Sequence, residues 1–251
     1  MSELPDLEAV RRFLAERVCG VRVERVEVLP PLRAHSPEVA EALPGLEGRC
    51  VESISRRGKF LLLAFKGAML LVVRPIPSGR LQYCHRRENL RRRTLFAITL
   101  EGERQLRYFD PKLAGQVHLV ERGALGRLPG WQEMGPDALD GALTEEEFRR
   151  RLRAFTGQIK GVLTSDKFVA GVGDAFADEI LWEACIYPFW PVGSLSEAEI
   201  GKLYRAVRRV LSEAVEAVFA AAREEGRVNL GETSTGRGQE LARPRRLTQK
   251  L

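Results

Sequence analysis

Residues 158–188 read Gln-Ile-Lys-Gly-Val-Leu-Thr-Ser-Asp-Lys-Phe-Val-Ala-Gly-Val-Gly-Asp-Ala-Phe-Ala-Asp-Glu-Ile-Leu-Trp-Glu-Ala-Cys-Ile-Tyr-Pro, and their punctuation decides the fold. A short helix carrying Lys160 runs into a turn bracketed by glycine, Ala170 to Gly173, and a second helix follows. Asp174 is expected to cap that helix, Ala175 to Ala184, because its short carboxylate can accept the first free backbone N–H groups. Helix-start N–H groups and a lysine meeting at one point make an anion site. Lys160 and the N–H groups of Gly171 and Gly173 are its expected donors.

Length and composition set the frame. A chain of 251 residues is long enough for two domains, each with its own core. With 44% apolar and 29% charged residues it has the balance of a globular protein. No apolar run approaches the roughly 20 residues of a bilayer span, and the N-terminus lacks the basic and apolar regions of a secretory signal. The expectation is a cytoplasmic monomer with no membrane contact. Cys19, Cys50, Cys84 and Cys185 are scattered without a C-x-x-C pair, so neither a disulfide framework nor a metal site is expected, and no cofactor is implied. The net charge is +6, with arginines grouped at 86–93, at 149–153 and in the tail at Arg243, Arg245 and Arg246. That distribution favours a polyanionic partner.

Apolar periodicity after Pro5 predicts a first helix with proline in its first turn. From Val21 to about Val120 the pattern turns strand-like, with strands at Val21–Val28, Lys59–Phe65, Met69–Val73, Leu95–Leu100 and Leu106–Phe109, which predicts a β-sandwich. Residues 121–143, rich in glycine and proline, read as a linker. Thr144 with Glu147, and Ser196 with Glu199, are capping-box patterns that open helices, the second running to about Glu224. The expected class is α+β: an N-terminal helix plus sandwich at 1–120, a helical unit at 144–224 and an irregular basic tail at 225–251.

With these elements placed, the chain resembles the formamidopyrimidine-DNA glycosylase and endonuclease VIII family. The resemblance rests on Glu3-Leu-Pro-Asp-Leu-Glu8, Arg57-Gly-Lys-Phe-Leu61, Ser78-Gly-Arg-Leu81, Asp110-Pro111, Met134-Gly-Pro-Asp137 and the stretch from 158, which occur in the family's order. It implies a helix-two-turn-helix domain after the sandwich, and a DNA glycosylase with AP lyase activity in base-excision repair. The family's nucleophile is the α-amine exposed when Met1 is removed, here that of Ser2; it attacks the sugar C1′ and forms a Schiff base. An α-amine titrates at about 7.7 to 8.0, so part of it is nucleophilic near neutral pH. By the same resemblance Glu3 is the acid/base and Lys59 anchors a DNA phosphate, with Arg80 on the DNA-binding side.

Several positions depart from the family's pattern. Ser2 replaces proline, and its primary amine gives an imine that loses its charge on deprotonation, a weaker electron sink. Pro77 stands where the family has the methionine that fills the gap left by the extruded base, and Lys112-Leu-Ala114 replaces Arg-Arg-Phe. Extrusion costs a few kcal/mol, and Pro77 and Leu113 are the remaining apolar wedges. Damaged, abasic or single-stranded DNA is the expected partner. Asp174 replaces asparagine, and a carboxylate about 5 Å from a phosphate costs roughly 3 kcal/mol at an effective dielectric near 20. No cysteine follows Cys185, so a basic tail is expected in place of the family's zinc finger. Two other readings stand beside the enzyme: a non-catalytic binder of damaged or distorted DNA on the same scaffold, and an RNA or polyanion binder.

Overall fold

Pro5 lies in the first turn of α1 (Leu4–Val18), where its missing N–H costs nothing because no carbonyl awaits it. In the computed structural model, residues 3–75, 78–225 and 228–229 are described. Ser2, Pro77 and, apart from residues 225, 228 and 229, the basic tail lie outside them.

Two antiparallel sheets follow α1. One has the order β1-β6-β7-β5-β9, built from Val23–Val28, Thr94–Leu100, Arg104–Phe109, Arg80–His85 and Val228–Asn229. The other has the order β2-β3-β4-β8, built from Val51–Arg57, Phe60–Phe65, Met69–Arg74 and Gln116–Glu121. Two short helices, α2 (Pro30–His35) and α3 (Pro37–Ala42), link β1 to β2. Phe65, Leu61, Leu71 and Val73 meet Leu81, Phe96, Ile98 and Tyr108 between the sheets. The expected sandwich is present.

Strand β3 is buried along its whole length because both its faces are covered. Leu61, Leu63 and Phe65 face the sandwich interior; Phe60, Leu62 and Ala64 pack under Leu128, Met134, Trp131 and Ala170. A strand covered on both sides needs a continuous apolar run, and Phe-Leu-Leu-Leu-Ala-Phe is one. The cover comes from residues 128–134, so this part of the glycine- and proline-rich stretch is packed.

The helical unit comprises α4 (Glu145–Leu152), α5 (Ile159–Leu163), α6 (Asp174–Ala184) and α7 (Glu197–Glu225). Thr144 caps α4 by accepting the Glu147 N–H at 3.1 Å, and Ser196 and Glu199 exchange hydrogen bonds at the start of α7. Phe148, Leu152, Phe168, Ile180, Leu181, Leu203 and Leu211 form a second core. Two helices join it to the sandwich. Leu4 of α1 lies in the helical core while Val10, Phe13 and Leu14 lie in the sandwich core. Helix α7 does the reverse, placing Leu203 to Val215 in the helical core and Ala222 against the sandwich.

The arginine groups have different fates. Arg149, Arg150 and Arg153 pair with Glu145, Glu147 and Glu197, and Arg151 donates to the carbonyls of Lys167 and Phe168. That group is spent on internal contacts. The 86–93 group lies on the connection that crosses β7, where buried Arg107 holds it by donating to the carbonyls of Arg86, Glu88 and Asn89.

Candidate functional site

The site forms where the first residues of α1 meet the first turn of α6. The Glu3 carboxylate, 3% exposed, accepts the backbone N–H groups of Gly173 at 3.0 Å, Ala175 at 3.1 Å and Phe176 at 3.3 Å. Of the three donors expected to form one anion site, only the Gly173 N–H meets the Glu3 carboxylate; the Gly171 N–H donates to Asp166 and the Lys160 ammonium pairs with Asp178. This also corrects the expected cap: α6 begins at Asp174 with Gly173 in the capping position, and Asp174 is exposed. The physical reason is that Glu3 reaches the same N–H groups from another element with two oxygens, leaving Asp174 to favour the helix only through its charge at the positive end. The start of α1 is held by the Glu3 N–H donating to Asp6 at 3.0 Å.

Glycine is required at two positions of this turn. Gly171 has φ +109°, and a Cβ there would lie 2.5 Å from a methyl of Leu4. At Gly173 a Cβ would lie 2.3 Å from the Glu3 carboxyl carbon. The Leu4 N–H donates to the Gly171 carbonyl at 3.2 Å, so the chain start is hydrogen-bonded to the turn through backbone as well as side chain.

Burial raises the Glu3 carboxyl above its ordinary range; the three backbone donors and the Lys59 charge oppose this without cancelling it. A carboxyl poised in this way exchanges a proton nearer neutral pH than a solvated one. Lys59 itself is 9% exposed and pairs with Asp166 at 3.2 Å. Asp166 also accepts the Gly171 N–H at 3.1 Å and faces the Arg74 guanidinium at 3.3 Å. Glu3, Lys59 and the glycine turn are thereby brought together, with Asp166 as the hub that reading the sequence missed. Its place inside the 158–188 stretch was the available signal.

Lys160 is engaged too, with its ammonium 2.7 Å from Asp178. Arg80 donates to the Gly79 carbonyl at 3.1 Å and its charge acts on Asp6, whose carboxyl burial raises. Beside Arg80, whose strand partner is Phe109, Asp110 organises its loop by accepting from Ser78, from the Lys112 N–H at 3.1 Å and from the Gly115 N–H at 2.6 Å. Lys112 is exposed. Leu113, at φ +53°, packs against the sandwich core instead of projecting as a wedge.

The quoted sequence motifs clasp one another in pairs. Asp137 accepts the Gly58 N–H at 2.7 Å and receives both terminal nitrogens of Arg56, which also reaches Glu8 at 3.1 Å. Ser78 joins Asp110, and Glu3 joins the turn at 173–176. Among the described residues no group of three or more His, Cys, Asp and Glu side chains is placed to hold a metal ion, and no helix is long and apolar enough to cross a membrane.

Comparison with known proteins points one way. Residues 1–117 match the family model of the formamidopyrimidine-DNA glycosylase N-terminal domain, and residues 134–223 that of its H2TH domain. The chain is 38% identical over 216 residues to the formamidopyrimidine-DNA glycosylase of Symbiobacterium thermophilum, covering 86% of this chain and 70% of that one. It is 37% identical over 216 residues to the one from Thermus thermophilus, covering 86% and 76%. Among solved structures, the Lactococcus lactis Fpg in complex with an abasic site containing DNA superposes with a TM-score of 0.78 at 27% identity, over 86% of this chain and 79% of that one. The Thermus thermophilus Fpg does so with a TM-score of 0.73 at 35% identity, over 86% and 77%.

Proposed function

Because the chain belongs to the formamidopyrimidine-DNA glycosylase family, we propose that its Glu3 cradle is the acid/base centre of a DNA glycosylase with AP lyase activity, working in base-excision repair. One observation carries the assignment of the site. A carboxylate immediately after the residue that bears the α-amine is buried, held by three N–H groups and raised in pKa, next to a buried lysine. A purely structural carboxylate in such a place gains nothing from a raised pKa; one that moves a proton does.

In this reading the Ser2 amine gives its lone pair to the sugar C1′, and the bond to the damaged base breaks with the base carrying off the electron pair. The sugar ring then opens, the C1′–O4′ bond breaking with O4′ keeping the electron pair and taking a proton, and the protonated imine so formed withdraws electrons from C2′, so that a C2′ proton is lost and the 3′ phosphate leaves with the C3′–O electron pair. Glu3 is the group that takes and returns protons around C1′. Lys59 holds a backbone phosphate beside the reacting sugar once it leaves Asp166. Lys160 and the turn at Gly171 and Gly173 face the DNA backbone, with Arg80 and the loop of Lys112 and Leu113 on the sandwich side. Its place of work is the cytoplasm, beside its DNA.

Borohydride trapping on duplex and single-stranded DNA with one abasic site tests this. The natural chain should give a covalent adduct, a form retaining Met1 should give none, and Glu3→Gln should give little. The second reading, a binder that does not cut, is favoured by Ser2 standing where the family has its proline nucleophile. Absence of an adduct on every substrate, alongside salt-sensitive binding, would establish that reading instead.

A further inference from the structure

Among the described residues, four of the five large exposed hydrophobic side chains fall within nine positions. Trp182 is 44% exposed, Tyr187 53%, Phe189 57% and Trp190 41%. An isolated exposed aromatic is ordinary, but four grouped on one segment mark a binding surface. The segment is also stiff. The Trp190 carbonyl accepts the Ile159 N–H at 2.9 Å, the Pro188 carbonyl accepts the Lys160 N–H at 3.2 Å, and the Val192 N–H donates to Gly157 at 2.9 Å. Pro188 and Pro191 further limit it, and the Tyr187 and Phe189 rings meet edge to face at 5.4 Å.

These contacts place the aromatics around Lys160. Residues 188–190 are hydrogen-bonded to the start of the helix that carries it. Trp182 lies one turn beyond Asp178 on α6, and Asp178 is the partner of the Lys160 ammonium. The carboxylates of this face at Asp178 and Glu183 are paired with Lys160 and Arg209. The surface therefore offers flat rings with the local charge largely compensated. Such a surface binds bases by their faces more than phosphates by their charge.

We propose that Trp182, Tyr187, Phe189 and Trp190 form a stacking platform for unpaired bases of a single DNA strand that continues past the Lys160 contact. This rests on the DNA-binding reading of the Lys160 helix and extends it: the substrate class becomes DNA in which a lesion-bearing duplex borders a single strand. A stacked base adds affinity without regard to its identity, and it does so without releasing further counterions.

The test measures affinity by fluorescence anisotropy for a duplex carrying an uncleavable abasic analogue. The duplex is blunt, or extended at either end by four thymidines, or by four baseless spacer units with the same phosphates. The expected result is about tenfold tighter binding with thymidines at one end, little gain with spacers, and a gain that changes little with salt. Phe189→Ala with Trp190→Ala should abolish the gain and leave the blunt duplex affinity unchanged. An equal gain from spacers, or a gain that survives both substitutions, overturns the platform. So does a dimer of the natural chain, seen by light scattering, that the double substitution dissociates, because the rings would then be covering a second copy. If the blunt duplex is not bound at all, the glycosylase reading fails separately. Free oligothymidine against free spacer strand then still decides whether the rings hold bases.

Discussion

Glu3 caps the helix on which Glu8 stands, five residues further along, and their surroundings push them in opposite directions. Burial acts to raise both. At Glu8 the hydrogen bonds and charges of Arg11 and Arg56 outweigh it and hold the carboxyl below its ordinary range. At Glu3 three peptide N–H groups and a lysine already engaged by Asp166 do not outweigh it, and the carboxyl stays raised. Backbone donors and guanidinium groups both favour the charged form; at Glu8 they outweigh burial and at Glu3 they do not. Both carboxylates join distant parts of the chain, and under the reading proposed above the raised pKa of Glu3 is what suits it in addition to proton transfer.

The largest expected effect tests Glu3. Glu3→Gln should lower abasic-site cleavage by about 10²- to 10⁴-fold while unfolding stability moves by no more than about 1 kcal/mol. Single-turnover cleavage beside a urea melt measures both. A loss of stability large enough to explain the lost activity would make Glu3 a second Glu8. Next comes Glu8. Glu8→Gln should cost about 3 kcal/mol in the urea melt, since Arg56 is left buried with only Asp137, and cleavage by the folded fraction should be retained. Unchanged stability would show that the Arg56–Asp137 pair suffices alone.

Third, Asp166→Asn removes the carboxylate that occupies Lys59. Binding to an abasic-analogue duplex should tighten by about tenfold. Weaker binding would mean that Asp166 positions Lys59 for phosphate and does not compete with it. The smallest effect is the pH dependence of stability. Glu8, lowered in the folded chain, contributes stability above the unfolded carboxylate value of about 4.3, and this is lost as pH falls through its folded value. Glu3, raised, contributes stability below that value, and this is lost as pH rises through its folded value. Urea midpoints from pH 3 to 7 should therefore show Glu8→Gln flattening the acid limb and Glu3→Gln flattening a shallow decline above it, each by about 1 kcal/mol. The same change from both substitutions would erase the contrast.

Much of the fold was legible because its signals are local. Strands β3 and β4 announce themselves as apolar runs, and the capping pairs Thr144 with Glu147 and Ser196 with Glu199 mark helix starts. Strand β2 was not seen because Val51 and Ile54 are its buried positions, the register shifts between Val51 and Ser53, and a glutamate, two serines and two arginines fill the rest. Strand β5 hides behind Gln82 and its flanking arginine and histidine. The short helices α2 and α3 bury one side chain each, Leu32 and Ala40, too few to set a period. At the site, Glu3 and Lys59 were reached through resemblance. Asp166 was not, since its meaning comes from lying against Lys59, and no local pattern encodes a contact between distant segments.

The attachment of Leu4 to the helical core sets an order in time. The amino end leaves the ribosome first, yet the N–H groups that receive Glu3 belong to residues 173–176. At synthesis rates of 5 to 20 residues per second, roughly 10 to 35 s separate the two. In the later part of that interval β1 to β8 have been made while Glu3 still lacks its cradle. A chain arrested before α6 would leave the Glu3 carboxylate without its N–H partners, so this junction is assembled only after strands β1 to β8 have been made.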